Sequence, residues 1–281
     1  MSIKIVADSA ANLFSLSGAD FAYAPLKIVT AKAEYADTPE LNVENMVEDV
    51  KATKGKSGTS CPNVAEWLNA FGDAEEVFAV TITSGLSGSY AAACSAALEY
   101  AQRFPSRQVC VVDSLSAGPE MALLVERLKD SILSGKAFSQ IREEIRTYQQ
   151  HTHLLFSLQS LTNLARNGRV SPAVAKIAGV LGIRVVGAAS AEGTLEPLHK
   201  CRGERKAVET IFQEMVRRGF QGGAARIAHC FNPESAQTLK DMILERFPKS
   251  RVLLEPCTAL CSFYAERGGL LVGFADGGAE A

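Results

Sequence analysis

Residues 77–83 (VFAVTIT), the turn Ser84-Gly85-Leu86-Ser87-Gly88-Ser89 and residues 90–102 (YAAACSAALEYAQ) follow one another without interruption. The first stretch is short, apolar and rich in β-branched residues. The second is small and polar, and the third is Ala-rich with high helix propensity. A strand that ends in a Gly/Ser turn and passes at once into a helix is the repeating unit of a parallel α/β sheet. The unit recurs on both sides. Residues 3–7 form an apolar run ending at Asp8-Ser9, and residues 108–112 form another ending at Asp113-Ser114. Amphipathic residues 121–133 and then 138–148, with charges on one face, read as the next helices.

Beyond His151-Thr152-His153, residues 154–157 predict a strand that opens a second half. Helices are expected over 158–165 and 172–181, split by Asn167-Gly168-Arg169-Val170-Ser171. Residues 183–188 and 194–199 predict a hairpin turning at Ser190-Ala191-Glu192-Gly193. A helix (204–218), a strand (225–229), a helix (233–246) and a strand (251–255) follow, with a last strand at 270–274. The expected fold class is α/β, built as two α/β domains, 1–150 and 151–281, the first on a mainly parallel sheet. The chain length of 281 residues agrees with two domains of roughly 100–200 residues each.

Composition narrows the function classes. Hydrophobic residues make up 47% of the chain, enough for a sizeable core, and the net charge of −2 offers no electrostatic case for nucleic acid. Met1-Ser2-Ile3-Lys4-Ile5-Val6 runs straight into a strand without a signal-peptide layout, and no apolar run reaches the roughly 18–20 residues of a bilayer span. A cytoplasmic protein is expected. The seven cysteines are dispersed with no C-x-x-C pair, which argues against zinc and against a disulfide framework. No metal site and no cofactor are expected, and the G-x-G-x-x-G, Walker and H-E-x-x-H motifs are absent.

In open parallel sheets, ligands bind outside the carboxyl ends of the strands. Three such ends carry small polar residues here, and the turn from Ser84 to Ser89 is the richest. Its glycines let backbone N–H groups approach a ligand, its hydroxyls add donors, and the helix that follows points a positive N-terminus at the same place. That chemistry suits an anion, although a plain helix cap at Ser87 or Ser89 would use the same residues. Gly58-Thr59-Ser60-Cys61-Pro62-Asn63, ahead of apolar residues 64–71, offers a second anion turn or a second cap. Gly85-Leu86-Ser87-Gly88-Ser89 also nearly matches the G-x-S-x-G elbow of serine hydrolases, with Ser89 in place of the last glycine, but none of the later histidines stands in a distinctive turn. Arg169 sits beside Gly168, where an arginine can reach across to an anion.

Taken together, and in order, Ile5-Val6-Ala7-Asp8-Ser9, Pro25-Leu26-Lys27, Tyr35 with Asp37, Thr59-Ser60-Cys61-Pro62, Ser84 to Tyr90, Asp113-Ser114, Gly168-Arg169-Val170-Ser171 and Lys200-Cys201-Arg202-Gly203 resemble the DegV family of bacterial fatty-acid-binding proteins over nearly the whole chain. The resemblance implies a long-chain fatty acid buried between two α/β domains. It places the carboxylate on Thr59 and Ser87, with Gly88 and Ser84 as helpers, and Arg169 near the head group or a kinase-docking surface. It implies a non-catalytic binding subunit that presents its ligand to a fatty acid kinase, which makes an acyl-phosphate for phospholipid synthesis, with transient membrane contact. Two positions depart from the family. Cys61 stands where Gln is usual, and the stretch from Phe263 to Gly269 places Tyr264 and Arg267 where His and Pro are usual. A phenol can still donate a hydrogen bond to a carboxylate.

Burying an acyl chain gains roughly 0.8 kcal/mol per methylene, so the hydroxyl turns need only satisfy and orient the head group. Two rival readings use the same residues: a hydrolase with Ser87 as nucleophile, and a binder of a small anion or phosphosugar. The second requires a polar pocket where a fatty acid requires an apolar one.

Overall fold

A computed structural model describes residues 3–53, 55–171, 173–174 and 182–278. The first sheet takes β1 (Ile3–Asp8), β2 (Asp20–Ala24), β6 (Glu76–Thr81) and β7 (Gln108–Asp113) in the order β2-β1-β6-β7, with every pair parallel. Helices cover both of its faces, which is why its strands read as continuous apolar runs and not as alternating ones. Ile5, Phe78 and Val80 pack under the helices Pro119–Leu133 and Phe138–Gln149. Val6, Val77 and Ala79 face the other way, towards Trp67 and Phe71 of Val64–Phe71 and Tyr100 of Ser89–Arg103. The Val64–Phe71 helix starts on a capping box in which Asn63 and Glu66 exchange side-chain-to-backbone hydrogen bonds of 3.0 and 2.8 Å.

A small antiparallel sheet, β4 (Glu34–Ala36), β3 (Lys27–Val29) and β5 (Gly58–Ser60), lies between the predicted elements, as does the helix Val43–Ala52. Strands of three residues are too short to show a period, so the sequence reading passes over them. The third sheet runs β10-β9-β8-β13-β11-β12, comprising β8 (Thr152–Leu158), β9 (Ile183–Ala189), β10 (Leu195–Arg202), β11 (Ala224–His229), β12 (Arg251–Pro256) and β13 (Leu270–Ala275). Only β11 and β12 pair in parallel, so this sheet is mixed.

The helix expected over 158–165 is shorter. Leu158 ends β8, and Ser160 turns the chain by accepting the Thr162 N–H at 3.1 Å, so the helix covers only Thr162–Arg166. The helix expected over 172–181 lies outside the described residues apart from 173–174. Helix Ala259–Ala265 lies where the sequence predicts no element. Its N-terminus is capped by the Asp37 carboxylate, which accepts the Ala259 and Leu260 N–H groups at 2.8 and 3.2 Å from 222 and 223 residues away. No local sequence pattern announces a cap of that kind.

The sheets are held together closely. Helix Pro119–Leu133 starts directly on β13, where a Cβ at Gly273 would collide with the backbone of Pro119 and Glu120. The Glu120 carboxylate at that point accepts hydroxyl hydrogens from Ser116 and, at 2.9 Å, from Thr152 at the start of β8.

Candidate functional site

A cavity opens between the first and third sheets. Its walls are Leu26, Ile82, Leu86 and Ala117 on one side and Leu154, Phe156, Leu158, Leu195 and Leu271 on the other, with Leu164 and helix Ala259–Ala265 closing it. Leu154, Phe156 and Leu158 alternate along β8, as a strand with one face on the cavity requires, while Leu155 belongs to the core behind. Among the described lining residues, four carry an oxygen or nitrogen in their side chain: Thr59, Ser87, Arg169 and Tyr264.

Those four come from four separate segments. Thr59 lies in β5, paired with Ile28, which turns its hydroxyl towards helix Ala259–Ala265. There Thr59 Oγ1 and the Tyr264 hydroxyl are 2.7 Å apart. Ser87 lies inside the Ser84–Ser89 turn, and its Oγ accepts the Ser89 N–H at 3.2 Å, leaving its own hydrogen free to donate. Arg169 follows Gly168, whose φ of +73° explains the glycine. Its Nε donates to the Leu86 carbonyl at 3.1 Å and its guanidinium also reaches the Asn167 carbonyl, so it braces the Ser87 turn from the opposite half of the chain. Ser84 and Gly88 stand outside this group. Ser84 is exposed, and its N–H donates to Asp113 at 3.1 Å. Gly88 is the exposed N-cap of helix Ser89–Arg103, and a Cβ there would lie 3.4 Å from Cys61 Sγ.

The polar strand ends build the scaffold of the turn. Asp8 is fully buried and accepts the Ile82 N–H at 2.9 Å and the Ser89 hydroxyl at 2.6 Å. Ser9 Oγ accepts the Leu26 N–H at 3.0 Å, and Asp113 holds the N–H groups of Ser84 and Leu115, each at 3.1 Å. Asp8 and Asp113 therefore fix the two flanks of the turn that presents Ser87. Nothing in the Asp-Ser dipeptides themselves separates such a brace from a ligand contact. The histidines are engaged elsewhere: His151 and His153 on Asp276, and His199 on Glu214, while His229 Nδ1 accepts the Asn232 N–H.

The fold occurs in known proteins. The sequence profile described as "Uncharacterised protein, DegV family" matches residues 2–275. The chain belongs to the DegV family. A DegV domain-containing protein of Streptococcus gordonii is 40% identical over 99% of this chain and all of its own length. A DegV family protein of Eubacterium eligens, crystallised with heptadecanoic acid, superimposes with a TM-score of 0.96 at 42% identity, covering 98% of this chain and 100% of that one. The Fatty Acid Kinase (Fak) B3 protein of Streptococcus pneumoniae, loaded with linoleic acid, does so with a TM-score of 0.96 at 41% identity over 98% and 99% of the two chains. The DegV resemblance carried by the short motifs is thus confirmed, together with the α/β fold it implied.

Buried acids give this DegV chain a pH signature. Burial pushes the Asp8 carboxyl up to about 7, only partly offset by its hydrogen bonds from Ser89 and Ile82. Burial likewise raises Asp37 to about 6 and Glu120 to about 7. Between pH 4 and 7 the unfolded chain has released protons that the folded protein retains, so ν_U is below ν_N and stability falls as pH rises through that window. For Asp8 the loss should be on the order of a few kcal/mol. Urea unfolding at pH 5 and pH 8 checks this: Asp8→Asn should show a smaller drop than the wild type, and equal drops would count against it.

Proposed function

We propose that this protein binds one long-chain fatty acid in the cavity between its two α/β domains, 1–150 and 151–281. Its carboxylate is received by Thr59, Ser87 and Tyr264, with Arg169 bracing the turn. The observation that carries the reading is the polarity of the cavity, whose described lining is mostly leucine and other apolar residues with three hydroxyls and one guanidinium among them. A phosphosugar would need polar partners along its length, and this wall offers none among the described residues. An acyl chain needs only desolvation along its length and several donors at one end. Thr59 and Tyr264 bond each other at 2.7 Å, and a carboxylate placed between them and Ser87 would replace that bond and take a hydrogen from each of the three hydroxyls.

The role is binding, not catalysis. A serine hydrolase would set a base against Ser87, and no histidine is among the described residues lining its cavity. The proposed partner is a fatty acid kinase catalytic subunit, a role supported by the likeness to the S. pneumoniae Fatty Acid Kinase (Fak) B3 protein. The loaded protein would present its carboxylate for acyl-phosphate formation, in the cytoplasm, with transient membrane contact for loading. Among the described residues no helix is long and apolar enough to cross a membrane. Organic extraction of protein purified without added lipid, followed by mass spectrometry, should release about one fatty acid per chain. A protein that comes away empty and also refuses added oleate and palmitate would overturn the reading.

A further inference from the structure

What limits the tail is read from Phe156, which lines the cavity, and from Gly187, which lies beside its ring on the neighbouring strand. Among the described apolar lining residues Phe156 is the one aromatic, and the rest are Leu, Ile, Ala and Cys. It stands in the middle of β8, opposite Leu271 of β13 on one side and opposite Gly187 of β9 on the other. Its ring leans onto Gly187. A Cβ at position 187 would lie 2.7 Å from Phe156 Cε2 and closer still to Cζ, contacts that real Cβ atoms do not make. A glycine inside a strand weakens the strand and commonly marks a place where another group must approach closely. Here two groups approach: the Glu196 carbonyl oxygen of the neighbouring β10, which would lie 2.5 Å from that Cβ, and this ring, 2% exposed and packed with Leu158, Leu164 and Ala265.

We propose that Phe156, laid down on Gly187, is the residue that sets the length and girth of the acyl chain this protein accepts; the proposal rests on the fatty-acid reading above. Because Gly187 has no side chain, the ring can tilt towards β9 and leave room over the floor for methylenes. Protein interiors register changes of a single methylene, so the largest apolar side chain in the lining governs how much tail fits. Side chains smaller than Phe at 156 open the floor to longer or more strongly kinked chains. A side chain at 187 drives the ring back into the space the tail would use.

The test is a competition series with myristate, palmitate, stearate and arachidate on delipidated wild-type protein and on Phe156→Ala. The variant should shift its preference towards longer chains, each additional methylene accommodated being worth about fourfold in relative affinity. Phe156→Leu keeps an apolar side chain closer in size and should show the same shift in smaller measure, which keeps the proposal testable if Phe156→Ala does not fold. Folded variants that rank the four acids as the wild type does, or that weaken all four equally, would overturn it. Wild-type protein that binds none of the four would instead remove the fatty-acid reading on which the proposal stands.

Discussion

Thr59→Ala combined with Ser87→Ala is expected to lower affinity for palmitate or oleate by about 10²–10⁴-fold, since each hydroxyl gives a carboxylate a hydrogen bond worth roughly 1.5–3 kcal/mol. The fold should survive the change. Among the described residues Thr59 Oγ1 bonds only the Tyr264 hydroxyl, and Ser87 Oγ serves only the Ser89 N–H at 3.2 Å, an amide at the start of a helix where orphan donors are usual. Displacement of a fluorescent fatty acid reads the affinity, and circular dichroism verifies the fold. Residual binding should persist, because the tail still gains its burial in the leucine-lined part of the cavity. An unaltered dissociation constant in the folded double variant would show that the carboxylate lies somewhere else. Tyr264→Phe should produce a smaller version of the same loss, for it removes one donor while keeping the ring that packs against Phe263 at a centroid distance of 4.9 Å.

The largest effect on stability is expected at Arg226→Met. Arg226 is 4% exposed, on β11, and its guanidinium bonds Glu126 at 2.7 Å and Glu255 at 2.6 Å. Glu126 belongs to helix Pro119–Leu133 and Glu255 to β12, so the arginine ties the helix that packs on the first sheet to the edge of the third. Removing it leaves the half-buried Glu255 carboxylate without a cation among the described residues, and leaves Glu126 only the exposed Arg251 at 3.4 Å. Breaking a buried pair in this way costs about 3–5 kcal/mol, most of it the penalty of the charges left behind. The urea midpoint should fall accordingly. Adding Glu255→Gln to Arg226→Met should recover part of the loss by removing one of the stranded charges, and a double variant no more stable than the single one would argue that packing, not charge, carries the effect.

Part of the candidate site is legible in the sequence. Turn chemistry marks Thr59, Ser87 and Arg169, the family resemblance marks Tyr264, and the structure brings all four to one cavity. Ser84 and Gly88 shared the same turn and the same credentials, yet they face outward, because a turn of six residues cannot present every member to one side. Asp8 and Asp113 were legible as polar strand ends. Their work as acceptors for Ile82, Ser89, Ser84 and Leu115 depends on β1, β6 and β7 being neighbours in the sheet. Phe156 and Gly187 carried no signal, since a phenylalanine in one strand and a glycine in another look like ordinary strand residues until register sets them opposite each other.

The strand–turn–helix order, the parallel character of the first sheet and the family were all fixed by local pattern: backbone propensity and side-chain period act over a few residues, and motifs are read within the same span. Contacts over longer separations needed the fold. Thr59 and Tyr264 lie 205 residues apart and meet at 2.7 Å. The Asp37 carboxylate caps a helix 222 residues on, and Arg169 reaches a carbonyl 83 residues back. Each of these depends on sheet order and on how helices pack between sheets, quantities that summed burial decides and that no short window of sequence contains.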